Sequence, residues 1–374
     1  KLVYTHFIHD RKTTSPFNTA LSPNRRGVPA RVDGNEFQIE PMVKYEGEKY
    51  RGLLGLFYFN AKQDEHVTMS RPTAVTTYFN DKTKTKAVFG EITFTPNIPF
   101  EFTLSARYEQ EHHKRKGEST LFSINRDKKY NVFLPKADIA WKMDENQRLG
   151  FKVGRGYNPG GAGVTFGKPY TSYEYDAEYV WNYELYHRWT SADKRLRINS
   201  NLFYNDYKDM QLPFTLGPNS IVIRNADKVV TYGAEINTEW QATEKLALNA
   251  GIGMLKTDIK RYPNSSIEGN KLARAPSFSG KVGANYRLLD HLEIGTNYSY
   301  NSSYYSTADN LANGKVGHYD QLDVYLAYDF KHAKITLYAD NVLNSRKDIL
   351  LVPRSGDITR QPERQIGLST ELRF

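Results

Sequence analysis

The sequence predicts an all-β fold, a transmembrane antiparallel up-and-down β-barrel of about 16 strands. Three observations predict it. Apolar and polar residues alternate with a period of two along nearly the whole chain. Short turns alternate with longer polar loops. The chain is rich in aromatics, with 27 Tyr and 19 Phe, yet has no apolar run of the roughly 18 residues that a membrane helix needs. A helical membrane protein is therefore excluded, and a mean hydropathy of -0.65 suits strands that meet oil on one side only.

Residues 2–9 open the chain as a strand-like segment, and 11–33 are long enough for a loop. Turn signals follow at 46–49, 96–99, 144–147, 191–194, 242–245, 288–291 and 330–333, each flanked by alternating segments. Between them the sequence predicts long loops near 68–83, 115–128, 160–170, 212–222, 260–272, 304–317 and 350–360. This is the one-sided asymmetry of a membrane barrel, with tight turns at one rim and long loops at the other. The faces can be assigned strand by strand. Phe100, Phe102, Leu104, Ala106 and Tyr108 oppose Glu101, Thr103, Ser105, Arg107 and Glu109; Leu196, Ile198, Leu202 and Tyr204 oppose Arg197, Asn199, Asn201 and Asn205. Leu246, Leu248, Ala250 and Ile252 likewise oppose Ala247, Asn249, Gly251 and Gly253, and Leu322, Val324, Leu326 and Tyr328 oppose Asp323, Tyr325, Ala327 and Asp329. The last strand sets Ile366, Leu368, Thr370, Leu372 and Phe374 against Gln365, Gly367, Ser369, Glu371 and Arg373. A soluble sandwich would not carry charge and amide on one face of nearly every strand while the other face stays apolar.

A series of segments resembles the C-terminal barrel region of TonB-dependent outer-membrane receptors, and keeps that family's order. It runs through Leu134-Pro135-Lys136, Gly154-Arg155-Gly156-Tyr157-Asn158-Pro159-Gly160-Gly161, Asn182-Tyr183-Glu184-Leu185 and Phe203-Tyr204-Asn205-Asp206-Tyr207 with Gln211. Tyr232-Gly233-Ala234-Glu235, Gly269-Asn270 with Ala275-Pro276, Asp340-Asn341-Val342-Leu343-Asn344 and the terminal Phe374 complete it. Tyr186 stands where the family usually has glycine. The resemblance implies a 22-stranded barrel with a folded plug and an energy-coupling box upstream, of which residues 1–374 are the C-terminal barrel portion without the plug. No signal peptide precedes residues 2–9, so the native start is expected upstream of Lys1. By the same resemblance the protein sits in the outer membrane of a Gram-negative bacterium. It takes up a scarce nutrient, a ferric siderophore above all, when the TonB complex acts on the plug. Iron would then be cargo inside a chelate, and no resident cofactor is implied.

In such a receptor the ligand is gripped from outside by loop and lumen residues. The segment 157–176 is rich in glycine and tyrosine, and Tyr157, Asn158, Tyr170, Tyr173 and Tyr175 offer amphipathic contact area at low entropic cost. Arg224, Arg261, Arg354 and Arg360 lie at loop edges, where cations attract an anionic chelate. For any one of these residues the plainer alternatives are an aromatic girdle, lipopolysaccharide contact or solvation. His112-His113 point to opposite faces of a strand and have no third metal ligand at a usual spacing. Gly154-Arg155-Gly156 is not a nucleotide fingerprint, because no helix follows.

The net charge of +9 and pI of about 9.2 do not argue for nucleic acid, since the basic residues fall in segments read as loops: Arg25-Arg26, 112–116 and 126–129. Lipid and the phosphates of lipopolysaccharide are the partners these suggest. An enzyme is not expected, because the nine His are scattered. The alternative is a 16-stranded passive porin-type diffusion channel, since an even count of about 16 sits in the porin range.

Overall fold

The computed structural model describes residues 1–14, 27–69, 75–165, 167–217, 220–353 and 356–373. The first strands are β1 (Leu2–Thr14), β2 (Gly27–Ile39), β3 (Met42–Glu46), β4 (Tyr50–Met69), β5 (Val75–Phe94), β6 (Phe100–Glu118) and β7 (Ser123–Lys142). Then come β8 (Gln147–Asn158), β9 (Gly161–Val164), β10 (Ser172–Tyr175), β11 (Glu178–Thr190), β12 (Leu196–Gly217), β13 (Ser220–Gln241), β14 (Leu246–Arg261) and β15 (Phe278–Leu289). The chain closes with β16 (Leu292–Asn301), β17 (Tyr304–Tyr305), β18 (Lys315–Val316), β19 (Tyr319–Asp329), β20 (Ala333–Asp340), β21 (Asp348–Val352), β22 (Asp357–Arg360) and β23 (Gln365–Leu372).

Seventeen strands form one sheet, in which each long strand pairs antiparallel with the next long strand along the chain. The pairs β9–β10, β17–β18 and β21–β22 are small hairpins inside the long connections. β2 and β3 are a single pass, because Ile39 faces Tyr58 and Met42 faces Gly55 in one unbroken register. Pro41 interrupts the ladder for want of an N–H, while its carbonyl still accepts the Leu56 N–H at 3.0 Å. Counting β2 and β3 once, the 17 strands make 16 passes, as the alternation predicts. Each of the seven predicted turns joins two consecutive strands, from 46–49 between β3 and β4 to 330–333 between β19 and β20.

The polarity is inverted relative to a protein dissolved in water. Leu104 is 61% exposed and Leu54 63%, while Glu101, on the other face of β6, is 5% exposed. Leaving a leucine in water costs about 1.5–3 kcal/mol. A face carrying Leu54, Ile92, Leu104, Leu202, Ile252, Val282 and Leu368 is stable only against hydrocarbon. No helix among the described residues is long and apolar enough to cross a membrane, so the crossing is made by strands.

The polar face is knit by cross-strand pairs near the turn rim. Glu101 accepts from Arg51 at 3.1 Å and from Arg148 at 2.6 Å, with Lys142 at 3.4 Å. Beside it Thr93 pairs with Thr103, Tyr186 donates to Asp138 at 3.0 Å, and Lys152 meets Glu184 at 2.6 Å.

Three of the predicted long loops are instead mostly strand. β4 continues to Met69 and β5 resumes at Val75, β6 and β7 leave only 119–122 between them, and β12 and β13 are 22 residues each. Above the bilayer both faces of a strand meet water, so the apolar–polar alternation fades while the backbone ladder continues unchanged. The basic segments 112–116 and 126–129 accordingly lie in β6 and β7, not in loops. Arg25, Arg26, Arg354 and Phe374 fall outside the described residues.

Candidate functional site

The loop rim is built from two tall crests, β4–β7 and β12–β13, with folded-in connections between them. The first connection begins where the wall splits. β8 pairs with β7 only as far as Gly154 opposite Lys136, yet continues along β11 to Asn158 opposite Glu178. Aromatic side chains close the seam above that point. The Tyr157 ring lies 6.0 Å from Tyr130 and 5.6 Å from Tyr179, and the Arg155 guanidinium stacks 4.5 Å over Tyr179.

Past Asn158 the chain turns in as the hairpin β9–β10. Gly160 makes the turn possible, because a Cβ there would strike the Tyr175 carbonyl and come within 2.6 Å of the Tyr130 hydroxyl. Tyr175 and Tyr173 lie across their own hairpin against Gly161 and Gly163, with ring centroids 6.3 Å apart. Ala162 and Val164 pack with Phe79, Phe122 and Ile124. Phe79 and Ile124 share the parity of Thr93 and Ala140, so the hairpin rests on the polar, inner face of the wall.

Polar contacts fasten it at both ends. On the β7 side, Glu174 lies 3.6 Å from Arg126, which is fully buried and also bonds the Tyr130 hydroxyl. On the β12–β13 side, the Asn225 amide donates to the Asp176 carbonyl and accepts the Asp176 N–H, both at 2.8 Å. Gln211 donates to the carbonyls of Pro159 at 2.9 Å and Asp176 at 3.2 Å, and the Ser220 hydroxyl donates to Pro169 at 2.8 Å. The hairpin is thus a strap from one crest to the other.

Under the strap lies a dense set of ionisable groups. Arg115 bonds Asp81 at 2.8 Å, lies 3.6 Å from Glu65 and stacks 4.4 Å over Phe79. Burial pushes the Asp81 carboxyl up despite Arg115. Burial and the neighbouring Glu109 push Glu111 up, and burial beside Arg126 and Arg115 pushes His113 down.

A second inward fold covers the tops of β12–β14. Val229 and Ile259 are fully buried on the inner face, covered by Ile267 and Leu272 of the β14–β15 connection. Arg224 stacks 4.3 Å over Phe214 and 6.0 Å over Tyr262. This connection is tied to the next one, with Asn270 donating to the Ala308 carbonyl at 2.9 Å and the Lys271 N–H donating to Asn310 at 2.8 Å.

The predicted ligand residues therefore separate. Tyr157, Asn158, Tyr170, Tyr173 and Tyr175 belong to the seam and strap, Asn158 donating to Gln211 at 3.1 Å. Arg224 is on the second crest, its guanidinium close to two rings. Arg261 is engaged by Asp227 at 3.0 Å, and Arg360 by Asp348 at 3.2 Å. Arg126, Gln211 and Asn225 were not singled out from the sequence as site residues. Continuing the parity of Ala140 up β7 would have turned Arg126 inward; Gln211 stands in a family-like segment that gave it no site role, and nothing local marks Asn225.

A strand-built membrane wall whose mouth is crossed by a fastened hairpin is the architecture of an outer-membrane receptor or channel. The family described as TonB dependent receptor-like, beta-barrel matches residues 2–344, and the chain belongs to it. Members are Gram-negative outer-membrane proteins, and this is the membrane the apolar face meets. The pesticin receptor of Yersinia pestis is 24% identical over 254 residues, 64% of this chain and 36% of that protein. Among solved structures, the ferric yersiniabactin uptake receptor FyuA from Yersinia pestis superposes with a TM-score of 0.78 at 18% identity, over 93% of this chain and 55% of that one. The ferric-catecholate import receptor Fiu from E. coli K12 does so with 0.73 at 15%, over 98% and 59%. The copper transporter OprC gives 0.75 at 12%, over 99% and 61%. The chain thus spans little more than half of these receptors and about a third of the curated relative it matches.

Proposed function

We propose that this chain supplies the wall and outer mouth of a receptor that takes up a ferric chelate of the siderophore class, with energy delivered by the TonB complex through a plug domain. The observation that carries this reading is Arg224, a cation lying 4.3 Å over the Phe214 ring and 6.0 Å over that of Tyr262 at the rim of a strapped mouth. A guanidinium so placed can offer its planar fork to the carboxylate or catecholate oxygens of an anionic chelate. The adjoining strap adds tyrosine area from Tyr170, Tyr173 and Tyr175, and the similar receptors FyuA, Fiu and FecA take ferric ligands, against copper for OprC. The porin alternative rested on strand count alone, and family membership removes that support.

The chain's own residues attract, orient and enclose; they break no covalent bond. The test is binding of ferric and iron-free siderophores to the full-length receptor in detergent, followed by tyrosine and tryptophan fluorescence. Arg224→Ala is expected to weaken ferric-chelate binding by about 10-fold, the worth of one charge-assisted contact. Equal affinity for ferric and iron-free forms, or no effect of Arg224→Ala, would overturn the reading.

A further inference from the structure

The outer face of the β4–β7 crest carries a block of lysines whose placement follows from strand register. The row Leu56–Val88–Tyr108–Phe133 is apolar and marks the upper edge of the lipid-facing band. One step higher the row is Tyr58–Lys86–Gln110–Asn131, then Asn60–Lys84–His112–Lys129, then Lys62–Lys82–Lys114–Asp127. Lys116 stands in the row above, beside Asn80. Within β4–β7 seven lysines thus share one patch with two carboxylates, Asp64 and Asp127, and Asp33 of β2 stands opposite Asp64 at its edge. Asp127 is already held by Lys114 at 2.6 Å and by His112, and Asp64 by Asn80 at 2.6 Å. Among the described residues, Lys62, Lys82, Lys84, Lys86, Lys116 and Lys129 have no carboxylate within ion-pair distance, and all six are exposed.

Like charges directly opposite in a sheet repel, and Lys62, Lys82 and Lys114 are three in a row. On the outer face of the other crest Lys208 also faces Lys228, and Lys84 lies 5.7 Å over the Tyr58 ring much as Lys256 does over its own, but that crest gathers fewer lysines and supplies carboxylates to two of them. There Lys228 meets Asp206 at 3.5 Å, Lys260 pairs with Asp258, and Lys256 sits over the Tyr232 ring. Directly below Lys86 an open groove of about 520 Å³ runs down the apolar face between Ile39, Leu56, Tyr58, Val88 and Tyr108.

We infer that the outer face of β4–β7 is a docking site for a multiply phosphorylated lipid of the outer leaflet. Its phosphates sit among the Lys62–Lys82–Lys114 and Lys84–Lys129 rows, and an acyl chain lies in the groove beneath Lys86. Each row adds roughly 5 Å of height at a strand tilt of about 40°, so the three rows span about 10 Å. A phospholipid with one phosphate at one depth leaves most of this patch unneutralised. A headgroup with phosphates at more than one height, as in lipopolysaccharide, satisfies it.

The experiment uses the full-length receptor in nanodiscs of zwitterionic phospholipid, titrated with bisphosphorylated lipid A and followed by native mass spectrometry. Wild type is expected to hold the phosphorylated lipid, and to bind the enzymatically dephosphorylated form about 100-fold more weakly, at roughly 1 kcal/mol for each lysine engaged. Lys82→Gln/Lys84→Gln/Lys114→Gln is expected to lose the same factor, while Lys208→Gln/Lys228→Gln/Lys256→Gln on the other crest binds as wild type. Equal binding of the two lipid forms by wild type overturns the inference, and needs no variant to fold. Equal loss in both triple variants overturns it too, as does displacement of the lipid by an equal concentration of inorganic phosphate, which would make the patch a free-anion site.

Discussion

Replacing Gly160 by alanine should loosen the strap while leaving the barrel intact. The new Cβ would meet the Tyr175 carbonyl and the Tyr130 hydroxyl, and neither has room to retreat. Tyr175 precedes Asp176, whose N–H and carbonyl are both fixed by Asn225 at 2.8 Å, and Tyr130 is held by the buried Arg126. Overpacking of this kind costs about 1–3 kcal/mol. Against it stand four side-chain hydrogen bonds, the two to Asn225 and the two from Gln211, each worth a net 0.5–1.5 kcal/mol, or roughly 2–6 kcal/mol together. The substitution therefore weakens the strap without releasing it. Expressed as a population, the open form rises by about 5- to 150-fold. Hydrogen exchange on the full-length receptor reads this directly. Amides of residues 161–175 should lose protection by that factor, while those in the middle of β12 and β13 keep theirs. Unchanged strap protection would refute the steric argument, and loss of protection throughout the sheet would show that Gly160 serves the wall.

Three further outcomes follow from other parts of the structure. Leu104→Arg places a charge in the lipid-facing band and should destabilise the folded barrel by about 2–4 kcal/mol in urea unfolding into lipid vesicles, whereas Thr103→Arg on the inner face should cost far less. Glu101→Gln strips the shared acceptor from Arg51, Arg148 and Lys142; because those partners are partly exposed, the loss should be roughly 1–3 kcal/mol, lowering the temperature at which the barrel stops migrating as a folded species on gels. Burial, with Arg126 and Arg115 beside it, pushes the His113 imidazole below its ordinary value of 6.5 against the smaller opposite pull of the Gly160 backbone, so an opened strap binds more protons than a closed one. Its contribution is complete above 6.5 and declines as pH falls below that, with Glu111, shifted the other way, opposing only near the carboxylate range. Strap exchange, corrected for intrinsic rate, should thus quicken between about pH 7.5 and 5.5 in wild type and not in His113→Phe.

The seven turns and the two faces of the wall were legible because each is a local property. A strand between oil and water must alternate, and a tight turn must carry residues such as Asp144-Glu145-Asn146. The tall crests were not, since Lys82, Lys114 and Lys116 read as a solvated loop until the ladder shows them standing on a strand. Around the mouth, the glycine and tyrosine run at 157–176 drew attention to the strap. Its fastenings were hidden, because Gln211 and Asn225 reach it across 52 and 49 residues of sequence. Tyr173 and Tyr175 read as free ligand rings and are found lying on glycines of their own hairpin, a pairing that only the register reveals.

The seam above Gly154 has a mechanical consequence. Below it, β7 and β8 are joined by backbone hydrogen bonds; above it, only side chains bridge the gap, so the upper halves of β4–β7 stand as a panel laddered to β2 on one side and free of backbone pairing on the other. That panel has the lysine rows on its outer side and the Arg126 fastening of the strap on its inner side, at adjoining heights. The two are set by neighbouring residues of one strand, since Arg126, which anchors the strap, directly precedes Asp127, which Lys114 holds on the outer side, so the outer surface and the mouth share β7 as their common wall.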